Sequence, residues 1–136
     1  MLRIPTAFAL VFVVLGVLHT DMARKRTFKL RMEELSQQIE AFQKDHKHLP
    51  SQEAFLKIKL SKCGPLLHNF HYDTSFILPD SPDQTTVLAH AAPNMRILPK
   101  SHIVLYKNYN IGWVDDETLA KLRNKQKQFY LSRTIN

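Results

Sequence analysis

Three hydrophobic patterns follow one another along the chain. Residues 4 to 18 carry no charge, and residues 7 to 18, Ala-Phe-Ala-Leu-Val-Phe-Val-Val-Leu-Gly-Val-Leu, are apolar throughout. Such a run predicts a membrane-crossing helix. Fifteen residues at 1.5 Å each cover about 22 Å, short of a hydrocarbon core of roughly 30 Å, so His19 and Thr20 must complete the span or the bilayer must thin. In the second pattern Phe28, Met32, Leu35, Ile39 and Phe42 recur at spacings of four, three, four and three, with Lys, Arg, Glu and Gln between them. That is the apolar stripe of an amphipathic helix, and Leu35, Ile39 and Phe42 are its expected inward residues. No Gly or Pro falls between residues 22 and 49. Anchor and amphipathic helix are therefore expected to form one rod of about 40 residues, close to 60 Å long, stopped by Pro50.

Past Pro50 the period changes. Ser51 is a good N-cap for a short helix holding Phe55 and Leu56, with Glu53 in its first turn, and Cys63-Gly64-Pro65 breaks it. Alternation then predicts short strands around Phe70 and Tyr72, extending towards 76–78, and at 85–89, 102–106 and 111–114, separated by turns at 79–83 and at Pro93-Asn94. Asp115 or Asp116 should cap a last helix with Leu119 and Leu122 inward, beyond which the basic tail is expected to fray. The expected fold class is α+β. A long N-terminal helix packs on a small antiparallel sheet, with a short C-terminal helix. The divisions are an anchor at 1–20, an amphipathic helix at 21–49, a small domain at 50–123 and a basic tail at 124–136.

Composition narrows the function more by exclusion than by assignment. In 136 residues there are 19 Lys and Arg against 12 Asp and Glu, three Gly and one Cys. One small domain fits that length. A single Cys63 permits no internal disulfide, no zinc ribbon and no Cys-x-x-Cys redox pair. Walker, dinucleotide-binding, nucleophile-elbow and His-Glu-x-x-His patterns are absent, and no catalytic residue, cofactor or enzymatic activity is expected. A removable signal peptide is the rival reading of the first twenty residues, but Asp21 and the position of Gly16 leave poor cleavage sites, so the segment is expected to be retained.

The net charge of +7 gathers beside the anchor and in the C-terminal tail. Arg24, Lys25, Arg26, Lys29 and Arg31 follow the apolar run, whereas Arg3 precedes it. Those five are candidate contacts for anionic lipid headgroups, or a solvated first turn beyond the membrane. Taken alone, the positive-inside rule puts the body of the chain in the cytoplasm.

The order of an apolar anchor, an amphipathic helix ending at Leu49-Pro50 and a small antiparallel sheet resembles the type IV pilin-like proteins, especially the pseudopilins of type II secretion. The helix end, residues 38–50, and the stretch from Thr86-Val-Leu-Ala-His90 through Ile103-Val-Leu-Tyr-Lys-Asn-Tyr-Asn-Ile-Gly-Trp-Val-Asp-Asp-Glu117 carry the likeness. In prepilin-like proteins a Val-Leu-Phe strand leads through Asp-Gly-His to a Val-x-Trp/Phe-Val strand. The resemblance implies a single-pass protein of the inner (cell) membrane, an extracytoplasmic domain, a structural or accessory role, and pilin-like or secretion-system partners. Two departures bear on it. Asn108-Tyr109-Asn110 replaces Asp-Gly-His, and Tyr at a glycine position predicts a loop longer than two residues. The pilin processing motif and its Glu are missing near the N-terminus, so a homopolymer built by the usual pilin route is not expected.

Seven His raise the question of metal. His46-x-His48 lies at a helix end, and His68-x-x-His71 enters a strand, where the two side chains would point to opposite faces. His68 and His71 are thus weak metal candidates, and no metal site is expected. Asp115-Asp116-Glu117 reads as capping and dipole complement. Trp113, Tyr106, Tyr109 and Phe70 could form a stacking platform for single-stranded nucleic acid, but the basic residues are not interleaved with them. Trp113 is therefore expected to be a core or edge-covering side chain, and nucleic acid is not the expected partner.

Overall fold

A computed structural model describes residues 6–58 and 69–135. Helix α1 (Thr6–His46) is unbroken over 41 residues. Helix α2 (Gln52–Ile58) follows Pro50, and then come β1 (His71–Tyr72), β2 (Val87–Ala91), β3 (His102–Tyr106), β4 (Ile111–Val114) and α3 (Asp116–Thr134). The strands form one antiparallel meander in the order β1-β2-β3-β4. The fold is α+β, as the change of period implies.

The register decides which face each strand residue serves. Tyr72, Ala89, Leu105 and Ile111 are in one cross-strand line, and Ala91, Ile103 and Trp113 in another. These belong to the face against α1, where Met32, Leu35 and Ile39 are fully buried among Ala89, Ala91, Ile103 and Leu105. The opposite face carries Val87 and Val104, which pack on Leu119 of α3. Helix α2 docks through Phe55, stacked on Tyr72 at 4.3 Å, and the Tyr72 hydroxyl donates to the Pro50 carbonyl at 2.7 Å.

Several details differ from the sequence-based expectations. Phe42 is half-buried and stacks on His46 at 4.0 Å instead of entering the core. Its stripe averages 3.5 residues per repeat, and a straight helix drifts about 20° per heptad against that repeat, so two heptads after Phe28 the side chain lies at the edge of the buried face. Residues 76–78 form no strand, and β2 begins and ends two residues later than expected. Leu56 is exposed. The tail does not fray at 124, since α3 runs to Thr134. It is tied down along its length. The side chain of Gln126 accepts from the Val87 N–H at 3.0 Å, Phe76 meets Tyr130 edge-on, and Arg133 lies 3.8 Å from Asp80. Asp115 is the N-cap of α3, accepting from the Thr118 N–H at 2.7 Å.

The β3–β4 loop is longer than two residues, as Tyr109 implies. The Tyr109 N–H donates to the Tyr106 carbonyl, the Tyr106 N–H donates to the Asn110 carbonyl, and Tyr109 adopts φ 66°. This is a three-residue hairpin connection closing in the left-handed region, normally a glycine position. The Tyr109 hydroxyl bonds the side chain of Gln43 on α1, which ties the strained turn to the helix.

Candidate functional site at the membrane boundary

Helix α1 divides into an uncovered half and a packed half. Phe8, Leu10, Val11, Phe12, Val13, Val14 and Leu15 are exposed, and nothing else in the described chain covers them. A helix apolar all round and uncovered meets the length and composition requirements of a membrane span. Thr20 satisfies its own hydroxyl by donating to the Gly16 carbonyl one turn back at 2.9 Å, as a polar residue at the end of such a span must. From Met32 onward the same helix is the floor of the sheet.

Between the two regimes lies Asp21, fully buried. Its carboxylate accepts from three successive backbone N–H groups in the β2–β3 connection: Arg96 at 3.1 Å to both oxygens, Ile97 at 2.7 Å and Leu98 at 3.0 Å. Consecutive N–H groups aimed at one point form an anion-binding concavity. The bonds from Leu98 and Ile97 hold the Asp21 carboxyl below the usual carboxylate range against the opposing effect of burial, with Arg96 and the Arg24 charge adding to the lowering. Arg24 closes the clasp by donating to the Asn94 carbonyl at 2.7 Å. In the sequence alone Asp21 reads only as an obstacle to signal cleavage. An acid placed directly after an apolar run was the available signal, but its partners lie some 75 residues away in the chain.

The five basic candidates divide into two groups. Arg24 holds the loop, Lys25 lies over the Trp113 ring with its Nζ 4.5 Å from the centroid, and Arg31 pairs with Glu34 at 3.0 Å. Arg26 and Lys29 are exposed. Trp113 itself is half-buried on edge strand β4, packed against the core below and Lys25 above.

On the far face of the sheet, register brings together three histidines that spacing kept apart. His71 of β1 stacks on His90 of β2 at 5.2 Å, and His90 meets the His102 ring at 6.2 Å. Asp116 takes a short hydrogen bond from His102 Nε2 and lies 3.6 Å from Lys100. A cleft of about 510 Å³ opens beside this row, lined among others by Asp73, His71, His90 and Arg123. Burial, then the charges of Arg123 and the neighbouring imidazoles, pushes His90 down to about 4. It is therefore neutral at physiological pH. His68 lies outside the described residues, as does Cys63, and His71 faces His90. Among the described residues no three His, Cys, Asp or Glu side chains are placed to hold a metal ion. His46 and His48 each turn back to a backbone carbonyl, of Phe42 and Leu49 respectively.

No family model matches this chain, and no curated protein and no solved structure matches it.

Proposed function

We propose that this chain is a pilin-like, pseudopilin-type membrane protein with a structural or accessory, non-enzymatic role in a secretion or surface-assembly system, its folded domain outside the cytoplasm. One observation carries the reading: α1 is a single unbroken helix whose first half is apolar and uncovered and whose second half is buried beneath an antiparallel meander. That division suits a protein that presents a small rigid domain from a bilayer and docks sideways through its helix. Leu30 supports it further, as a large apolar side chain exposed on α1 beyond the membrane boundary. The fold alone does not assign an activity, so the role has to be tested at the helix.

A photo-cross-linking residue in place of Leu30, in cells, should capture other proteins with an apolar N-terminal helix. A single cysteine at exposed Asn110, with Cys63→Ser, should react with a membrane-impermeant maleimide before the cells are broken. Reaction only after lysis would favour a cytoplasmic, lipid- or nucleic-acid-binding module instead. Absence of any protein adduct at Leu30 would remove the assembly role.

A further inference from the structure

The clasp on Asp21 has a consequence for the loop it holds. Asp21 follows the span by one residue, so the backbone of residues 96–98 is fixed at the level where α1 leaves the hydrocarbon. The polar zone of a bilayer is only about 5 to 7 Å deep on each side, which places these residues inside it. Every N–H the loop gives to Asp21 is directed inward, while the side chains of Arg96 and Ile97 stay exposed, Ile97 by 45%. Pro99 and Lys100 are exposed as well. Lys100 reaches Asp116 at 3.6 Å, a pair in which both partners are open to solvent. An apolar residue between two cations, rigidly held beside a membrane span, is the composition of an interfacial anchor.

We propose that residues 95–100 form a second membrane contact, with Ile97 inserted at the headgroup boundary and Arg96 and Lys100 set against anionic lipid phosphates. This rests on the reading of α1 as a span. The two contacts, helix and loop, would set the tilt of the domain on the bilayer. The far end of the domain is clear of it. Tyr109 meets Gln43, and Gln43 is 22 residues beyond Asp21 on α1, about 33 Å at 1.5 Å per residue. The β2–β3 connection is thus the membrane-proximal end of the sheet and the β3–β4 hairpin the distal end.

The test uses the full chain with Cys63→Ser and a single environment-sensitive fluorophore on Ile97→Cys or on Asn110→Cys, reconstituted into phosphatidylcholine vesicles with or without phosphatidylglycerol. The label at 97 should be blue-shifted and quenched by lipids spin-labelled near the headgroup, more strongly with the anionic lipid. The label at 110 should show neither effect. Adding Arg96→Glu and Lys100→Glu should remove most of the extra quenching that anionic lipid gives the label at 97, exposed Arg26 and Lys29 accounting for what remains, while the circular dichroism of the domain is retained. If the chain floats with the vesicles but positions 97 and 110 behave alike, the loop contact is wrong and the span stands. If the charge-reversed protein keeps the full effect of anionic lipid on the label at 97, recognition of the phosphates by this loop is wrong. A chain that stays off the vesicles overturns both readings.

Discussion

Ile39 is the residue at which the packing of α1 on the sheet can be measured most cleanly. It is 0% exposed, in the same cluster as Ile103, Leu105 and Ala89, and it lies well beyond the apolar run that ends at Leu18. Ile39→Ala removes the equivalent of three methylene groups from a site with no access to water. At about 0.8 kcal/mol each, their transfer alone accounts for roughly 2.4 kcal/mol. The cavity adds to this, because the sheet residues of the same cluster are held in strand register and can relax only in part. A total near the middle of the range of about 2 to 5 kcal/mol follows. Leu30 is the matched control, on the same helix but 59% exposed, and Leu30→Ala should change stability by no more than about 0.5 kcal/mol.

For a sheet domain of this size each kcal/mol corresponds to roughly 4 to 8 °C in Tm, so Ile39→Ala should melt more than about 10 °C below the parent while Leu30→Ala stays close to it. Thermal melts of the full chain in mild detergent, followed in the near ultraviolet through Trp113, provide the measurement. Ile39→Asp should go further, because an unpaired buried carboxylate costs several kcal/mol against a total stability of only about 5 to 15. The helical signal of the span should survive in that variant while the Trp113 signal is lost. Equal melting temperatures for Ile39→Ala and Leu30→Ala would mean that α1 is not the floor of the sheet in solution, and the division of the helix into an uncovered half and a core half would fall with it.

Two further outcomes follow from the buried titratable groups. Asp21→Asn replaces an acceptor of four N–H contacts with a group that presents its own donors to them, so amide hydrogen exchange at residues 96–98 should accelerate while that of β3 is unchanged; unaltered exchange would show that the clasp does not hold the loop. His90 has a folded pKa depressed from 6.5 to about 4, so between those values the unfolded chain binds more protons and stability must fall as pH drops from 6.5 towards 4. His90→Phe should flatten that part of the stability profile, and an unchanged slope in the variant would assign acid sensitivity elsewhere. Below pH 4 the lowered carboxylates, Asp21 and Asp116 among them, add a separate loss as they protonate.

Which features could be read in advance follows from how local their causes are. The uncharged run, the stripe through Met32, Leu35 and Ile39, the Ser51 and Asp115 caps and the loop forced by Tyr109 all depend on neighbours within about one heptad. They were legible for that reason. Phe42 leaves the buried face through a small cumulative rotation that a spacing count does not show. The order of α3 beyond residue 123 depends on Val87, Asp80 and Phe76, which no helix propensity could supply. The histidine row is a product of register. His71 and His90 become neighbours only because β1 pairs with β2 at that offset, and a shift of one residue would send one of them to the α1 face.

Asp21 ties these levels together. A carboxylate directly after an uncovered apolar run would ordinarily remain in water, where it costs nothing, yet here it is fully buried. Burial is tolerable only because three N–H groups converge on it, and they converge only because the β2–β3 connection passes that point of the helix. The same connection feeds β3, the strand that supplies Ile103 and Leu105 to Ile39. Clasp and core therefore constrain one another. The acid determines where along α1 the sheet begins, the hydrophobic stripe determines which face it covers, and the bonded pair Tyr109 and Gln43 fixes the other end. A sheet held at three levels along a single helix has little freedom to slide or rotate on it. The orientation of the whole domain relative to the apolar N-terminal segment is then set by α1 itself, which runs unbroken through both.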